Sequence, residues 1–285
     1  MVRDWRTTTH SLLGEPLNFS FFYHIRGGGS TIRALQVSQY LKGRINPKDN
    51  YEDDTCIYVL GCMGIRGEEV ENAYYDLIDC GTDRISRIRK HTRGSIITTS
   101  KTQYATLKPL FKRRKMFLIP HHHCNFESFK RPDRPVKTVG CIGGDSAVQW
   151  PHENIAERLN SVGLDWKFSG YNPRDREAVV EFYKSIDIHL TYRTSHKRNL
   201  LLHMNPLKLN NAGSFGIPSV SYPEPAYKEE WKDSCLWGED IDSIINNVQL
   251  LATNKELYAE MSNRASEKAS EYHIDKIIPL YRELQ

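Results

Sequence analysis

The 285-residue chain contains no long hydrophobic run. Its longest apolar stretches, such as "IDIHLTY", fall far short of the roughly 20 residues that a membrane-spanning helix needs. The opening "MVRDWRTTTHSLLGEP" lacks the apolar core of a secretory signal, which predicts a cytoplasmic protein. Six cysteines (56, 62, 80, 124, 141 and 235) form neither a Cys-x-x-Cys pair nor a disulfide framework, so they read as reduced, incidental thiols. No internal repeat or low-complexity tract interrupts the chain. Acid is missing from two places. "RISRIRKHTR" (84–93) holds Arg84, Arg87, Arg89, Lys90 and Arg93 without a carboxylate, and "KRRK" (112–115) adds four more cations.

Hydrophobic residues make up 39% of the chain and charged residues 26%, a globular composition with a wet surface that excludes wholesale disorder. The net charge of +4 is unevenly divided. Residues 1–135 carry 22 Lys/Arg against 14 Asp/Glu, and residues 136–285 carry 17 against 21. The two halves are therefore expected to face different partners. The basic runs fit a solvated face, an anionic acceptor, or peripheral contact with a membrane surface. No recognition-helix, zinc-finger or RNA-binding signature is present, so sequence-specific nucleic-acid binding is not expected.

Strand and helix signals alternate twice. "LNFSFFYHI" (17–25) reads as a strand and runs through "RGGGS" into "TIRALQVSQYLKG", where Ile32, Leu35, Gln39 and Leu41 suggest one amphipathic face. "TCIYVLG", "AYYDLIDC", "GSIITTS" and "KMFLIP" read as further strands. The turn-rich "NFESFKRPDRP" (125–135) is the best linker. The alternation then restarts with "VKTVGCIGG" and ends in a helical tail from about Ile241. Two such runs imply two doubly wound, parallel α/β domains, 1–135 and 136–285, facing a cleft at their strand ends, with the tail free to pack back on the first. Gly27, Gly28 and Gly29 do not fit Gly-x-Gly-x-x-Gly, yet they allow a ligand to approach the backbone closely. His24 and Asp79, each at a strand end, are the candidates for orienting or deprotonating an acceptor hydroxyl.

"NPLKLNNAGSFGIPSV" (205–220) predicts a short helix with Asn205 as N-cap, Pro206 in its first turn and Gly216 as its left-handed terminator. A helix start carrying Lys208 in its first turn is an anion site by dipole and charge, phosphate being the usual anion. Lys208 and Asn211, three apart, fall on one side, and Leu209 and Ala212 on another.

This segment resembles the donor site of GT-B glycosyltransferases, especially the family 4-like group. Lys208, Leu209, Gly216, Pro218 and Val220 match that group's Lys-Leu…Gly-x-Pro-x-Val order. The resemblance extends to "SIITTSKTQYATL", "FLIPHHHCNFESF", "TVGCIGG" and "YKSIDIHLTY". It implies two Rossmann-like domains holding a nucleotide-sugar between them, an acceptor side in the first and a donor side in the second. Lys208 would meet a donor phosphate, Arg193 would supply a second cation, and the glycine loop would face the donor. The family's Glu-x7-Glu acids fall on His203 and Asn211, neither a carboxylate, and Asn211 would then reach a ribose hydroxyl.

No metal or other cofactor is expected. "HHHC" (121–124) places its ligand types consecutively on an extended loop, where alternate side chains diverge instead of converging on one ion. "DID" (240–242) precedes an apolar helical run and reads as a helix cap. The leading expectation is thus a metal-independent glycosyltransferase acting on a hydroxyl acceptor. A non-catalytic nucleotide- or glycan-binding relative and a basic nucleic-acid-binding α/β protein are the competing readings.

Overall fold

The computed structural model describes residues 18–24, 28–60, 70–143, 152–170, 175–192 and 205–285. Two parallel sheets organise it. The first has six strands in the order β2-β1-β3-β4-β5-β6: β1 Phe19–Phe22, β2 Arg44–Ile45, β3 Thr55–Val59, β4 Ala73–Asp76, β5 Ser95–Thr98 and β6 Met116–Leu118. The second has five, in the order β11-β10-β9-β7-β8: β7 Thr138–Gly143, β8 Asp165–Gly170, β9 Ile188–Thr191, β10 Ser219–Ser221 and β11 Leu236–Trp237. Every strand pair is parallel. Parallel strands need helices on both faces, which explains why β1, β3, β7 and β9 read as nearly continuous apolar runs.

Between β1 and β2 lie α1 (Gly28–Ser30), a π-helical segment Thr31–Gln36, and α2 (Val37–Leu41). The side facing the sheet is Arg33, Ala34, Val37, Ser38 and Leu41. This corrects the face expected from Ile32, Leu35, Gln39 and Leu41, of which only Leu41 is buried. The wider π turn shifts the register, and Arg33 turns inward because Asp76 at the end of β4 accepts from its Nε at 2.6 Å.

The helices α3 (Thr82–His91) and α4 (Lys101–Leu107) cover the opposite face of this sheet, contributing Ile85, Ile88 and Leu107 to its apolar cluster. Around the second sheet lie α5 (His152–Ser161), α6 (Arg176–Lys184), α7 (Leu207–Ser214), α8 (Pro225–Trp231), α9 (Ile241–Thr253) and α10 (Lys255–Ser270). The last helix, α11 (Ile274–Arg282), joins the core of the first sheet, with Ile274, Ile277, Ile278 and Tyr281 packed among Phe19, Phe21 and Val59. Tyr74 seals that contact by donating to the Leu284 carbonyl at 2.5 Å. Among the described residues, no helix is long and apolar enough to cross a membrane.

The turn-rich stretch after His123 is a packed strap. Asn125 donates to the Phe129 and Ser214 carbonyls at 2.8 and 2.9 Å, and Arg131 N donates to the Phe215 carbonyl at 2.9 Å. Arg131 and Arg134 both meet Asp187 Oδ1, while Lys137 N and Thr138 N donate to its Oδ2. Burial alone would raise this carboxyl; the backbone amides and guanidinium groups outweigh it and hold Asp187 below the usual carboxylate range.

Candidate functional site

In the first sheet the strand order reverses between β1 and β3, and a ligand crevice lies outside the C-terminal ends of strands at such a point. His24, Gly28–Gly29, Leu60 and Asp79 all follow those ends. Gly29 packs closely against the ends of β3 and β4. A Cβ on it would lie 3.1 Å from Leu60 Cδ2 and 3.4 Å from Asp79 Oδ2, so a larger residue would need the Leu60 side chain to shift. Asp79 adopts φ 48°, a left-handed conformation that Asp tolerates better than most residues, and its carboxylate is exposed. His24 is also exposed at this edge. Arg84 is drawn in instead, donating from Nη1 to the Leu60 carbonyl at 2.7 Å, so it braces the rim and does not belong to the exposed basic surface.

The second sheet brings α7 to this edge. Asn205 Nδ2 lies 3.4 Å from Asp79 Oδ1, a contact between the start of α7 and the end of β4. The cap differs from expectation by one residue: Pro206 occupies the N-cap position, and Asn205 Oδ1 accepts from Leu207 N at 3.4 Å. Proline there leaves one fewer orphan amide at the helix start. At the other end Gly216 has φ 71°, the left-handed terminator its position called for.

Lys208 is half-buried in the first turn of α7. Its charge reaches His189 on β9, a residue the motif reading missed. Burial first, then Lys208, push the His189 imidazole down to about 3, so the ring is neutral at ordinary pH. His189 Nδ1 pairs with Ser219 Oγ at 3.0 Å, and its Nε2, fully buried, has no partner; neither has Thr191 Oγ1 two residues further along the strand. The signal was present in "IDIHLTY": one imidazole in an otherwise apolar strand, directly before the donor-like segment.

Asn211 faces inward. It is only 6% exposed, and its Oδ1 accepts from Cys124 N at 2.8 Å. The neighbouring Tyr183 phenol donates to the Lys208 carbonyl at 3.5 Å. The turn of α7 that carries Lys208 outward thus carries Asn211 inward, against the chain segment that joins the two sheets, so its amide is committed to protein. Gly27, Arg193 and His203 lie outside the described residues.

The three histidines before Cys124 are clamps. His122 Nε2 meets Gln36 Oε1 at 2.8 Å, His123 N donates to the Tyr272 carbonyl at 3.0 Å, and Asn210 Nδ2 lies 3.4 Å from the His121 carbonyl. Burial, with the Arg33 charge behind it, holds His121 and His122 well below their ordinary pKa; burial and His273 lower His123 to about 3. Among the described residues no group of His, Cys, Asp or Glu is arranged to hold a metal ion. Asp240 caps α9 through a reciprocal capping box with Ser243, and Asp242 pairs with Arg158.

No protein-family model and no curated protein matches the sequence. Solved structures do match the fold. Anabaena HepE in complex with UDP and glucose superposes with a TM-score of 0.65 at 9% identity, over 94% of this chain and 98% of that one. Sucrose-phosphate synthase from Thermosynechococcus elongatus gives 0.64 at 12% identity, over 94% and 99%. A chain of the GtfA/B complex gives 0.54 at 13%, over 81% of this chain and 56% of that longer one. With its sheets of six and five parallel strands, the chain has the two-domain GT-B fold found in glycosyltransferases.

Proposed function

We propose that this chain is a glycosyltransferase that moves a sugar from a nucleotide-sugar to a hydroxyl acceptor without a metal. One observation carries the reading: Asn205 Nδ2, at the start of the helix that carries Lys208, lies 3.4 Å from Asp79 Oδ1, and Asp79 lies beside Gly29. A helix start and a cation suit a diphosphate. Across the same edge, the exposed Asp79 carboxylate, or His24, would take the acceptor proton. Residues 1–135 would hold the acceptor and 136–285 the donor, with Gly27, Arg193 and His203 completing the donor side. HepE was crystallised with UDP and glucose, which makes UDP the first donor nucleotide to test.

Calorimetric titration of UDP, GDP and ADP tests the donor side. Lys208→Ala removes a charge-assisted contact worth about 1.5–3 kcal/mol, so affinity should fall about 10- to 150-fold with the melting temperature of the free protein unchanged. Wild-type binding by a folded Lys208→Ala would remove Lys208 from the donor site. Transfer should also survive EDTA; activity abolished by chelation and restored by manganese would overturn the metal-free reading.

A second reading is a nucleotide- or glycan-binding relative without activity. It is favoured by Asn211, which stands where the family carries an acid and spends its amide oxygen on Cys124 N. Donor hydrolysis across a nucleotide-sugar panel separates the two: binding without any turnover supports the second.

A further inference from the structure

From Gly81 to Lys115 the chain holds eleven Lys/Arg and a single acid, Asp83. In sequence these cations form two runs separated by a strand and a helix. The fold joins them. Ile85 and Ile88 of α3, Leu107 of α4 and Phe111 just beyond it are buried in one apolar cluster against the same strands, so α3 and the α4 region lie on one face of the first sheet. Arg114 stitches their ends together, donating to Thr92 Oγ1 at 2.7 Å and to the Arg93 carbonyl at 3.2 Å. What remains outside is basic. Arg87, Arg89, Lys90, Lys108, Lys112 and Arg113 are all exposed, and none of the six forms an ion pair among the described residues.

Like charges gathered on one face raise the local potential and repel one another, and an anionic partner relieves both. The turn after α4 says which partner. Residues 108–110 and 112–113 are exposed, with Phe111 turned into the core between them. Leu110 is 40% exposed at the tip of this turn. Beside it, Tyr104, Ala105, Lys108, Pro109 and Lys112 line a shallow hollow. An apolar tip ringed by cations suits a bilayer surface, where apolar atoms enter the headgroup layer while the charged ends of long side chains stay with the phosphates. A nucleic-acid backbone would use the cations and leave Leu110 idle. The face also offers no exposed Phe, Tyr or Trp on which bases could stack, since Tyr104 is half-buried and Phe111 buried.

We propose that the α3–α4 face is a docking surface for anionic phospholipid membranes, anchored at Leu110. This goes beyond glycosyl transfer and does not depend on it. The cations supply long-range attraction, which salt weakens, and Leu110 supplies a shorter-range apolar contact, which salt leaves intact.

The test is co-sedimentation of the full chain with phosphatidylglycerol–phosphatidylcholine vesicles, with pure phosphatidylcholine vesicles as reference. A short DNA duplex is titrated in parallel. The chain should bind the mixed vesicles and not the neutral ones. Each basic residue at such a surface strengthens binding about fivefold, so the triple variant Lys108→Glu, Lys112→Glu, Arg113→Glu should lose at least about 100-fold. Leu110→Ser should lose several-fold with the salt dependence preserved. All these positions are exposed, so melting temperatures and UDP affinity should match wild type; UDP binding reads the donor site separately. No binding to mixed vesicles, or undiminished binding by the triple variant, would overturn the proposal. Duplex binding that competes with vesicles, combined with wild-type vesicle binding by Leu110→Ser, would make the face a nucleic-acid surface instead.

Discussion

The two halves of α7 share residue types and differ in everything else. At its start, Asn205 and Lys208 are half-buried at the edge between the sheets, and the contact Asn205 makes to Asp79 is long, at 3.4 Å. Four residues later the polar groups are saturated. Asn210 Oδ1 accepts from Trp231 Nε1 at 3.0 Å, Asn211 Oδ1 accepts from Cys124 N at 2.8 Å, and Ser214 Oγ donates to the Asn211 carbonyl at 2.6 Å. Buried amides with both ends engaged hold a fold together, and leaving one unpaired is expensive. Half-buried polar groups at the edge between the sheets are what a ligand can use. An asparagine on this helix therefore reports on function only once its burial is known.

Acid should break the buried half first. His121, His122, His123 and His189 all have folded pKa values below the ordinary 6.5, His123 and His189 at about 3. Between those values and 6.5 the unfolded chain binds more protons than the folded one, so stability rises with pH through that window. It is fully present above about 6.5 and is lost as pH falls toward 3. Each such histidine contributes up to about 1.4 kcal/mol per pH unit there. Urea midpoints measured from pH 7.5 to 4.5 should fall with a slope steeper than one proton. Three of these histidines clamp the segment against which Asn210 and Asn211 are held, so their protonation loosens that half of α7. A flat profile over this range would mean that the rings are solvated and the clamp is weak.

Asn211→Ala comes next. It strands the buried Cys124 amide. A buried donor left unsatisfied costs about 1–3 kcal/mol, or roughly 2–5 °C of melting temperature for a chain of this size. Asn211→Glu should be worse, because it faces a buried carboxylate with a phenol and tightly packed backbone. This reverses what the family pattern alone suggests, where an acid at this place would be welcome. A folded Asn211→Glu that binds UDP more tightly than wild type would restore Asn211 to the ribose.

Much of the architecture was legible because it depends on local pattern. The strand runs, the left-handed Gly216 and the start of a helix near Pro206 follow from side-chain periodicity and backbone sterics within a few residues. The site was legible only in part, because its decisive contacts are long-range. Asn211 and Cys124 are 87 residues apart, and Asp79 and Asn205 are 126 apart. Arg33 shows the same limit. A cation in the middle of an amphipathic helix reads as a surface residue until Asp76, 43 residues on, supplies the carboxylate that lets it be buried. His189 was overlooked for a different reason: a lone imidazole in an apolar strand is usually a satisfied core residue, and only its unpartnered Nε2 marks it out.

The smallest expected effect is at Asn205, and it tests the comparison most directly. Its Nδ2 lies 3.4 Å from Asp79 Oδ1, longer than a normal N–H···O bond, and the carboxylate is exposed. A long contact to a solvated acceptor exchanges one hydrogen bond for another with water, so Asn205→Ala should cost less than about 1 kcal/mol. Asp79→Ala should cost somewhat more, because Ala tolerates the positive φ less well than Asp. A double-mutant cycle over these two positions should give a stability coupling below about 0.5 kcal/mol, near the limit of additivity for independent sites. The same variants should behave differently in turnover, where Asp79→Ala removes the carboxylate and Asn205→Ala only its neighbour. Equal melting losses at Asn205 and Asn211 would erase the distinction between the halves of α7, and a large coupling would make Asp79 and Asn205 a clasp between the two sheets instead of the open edge of a site.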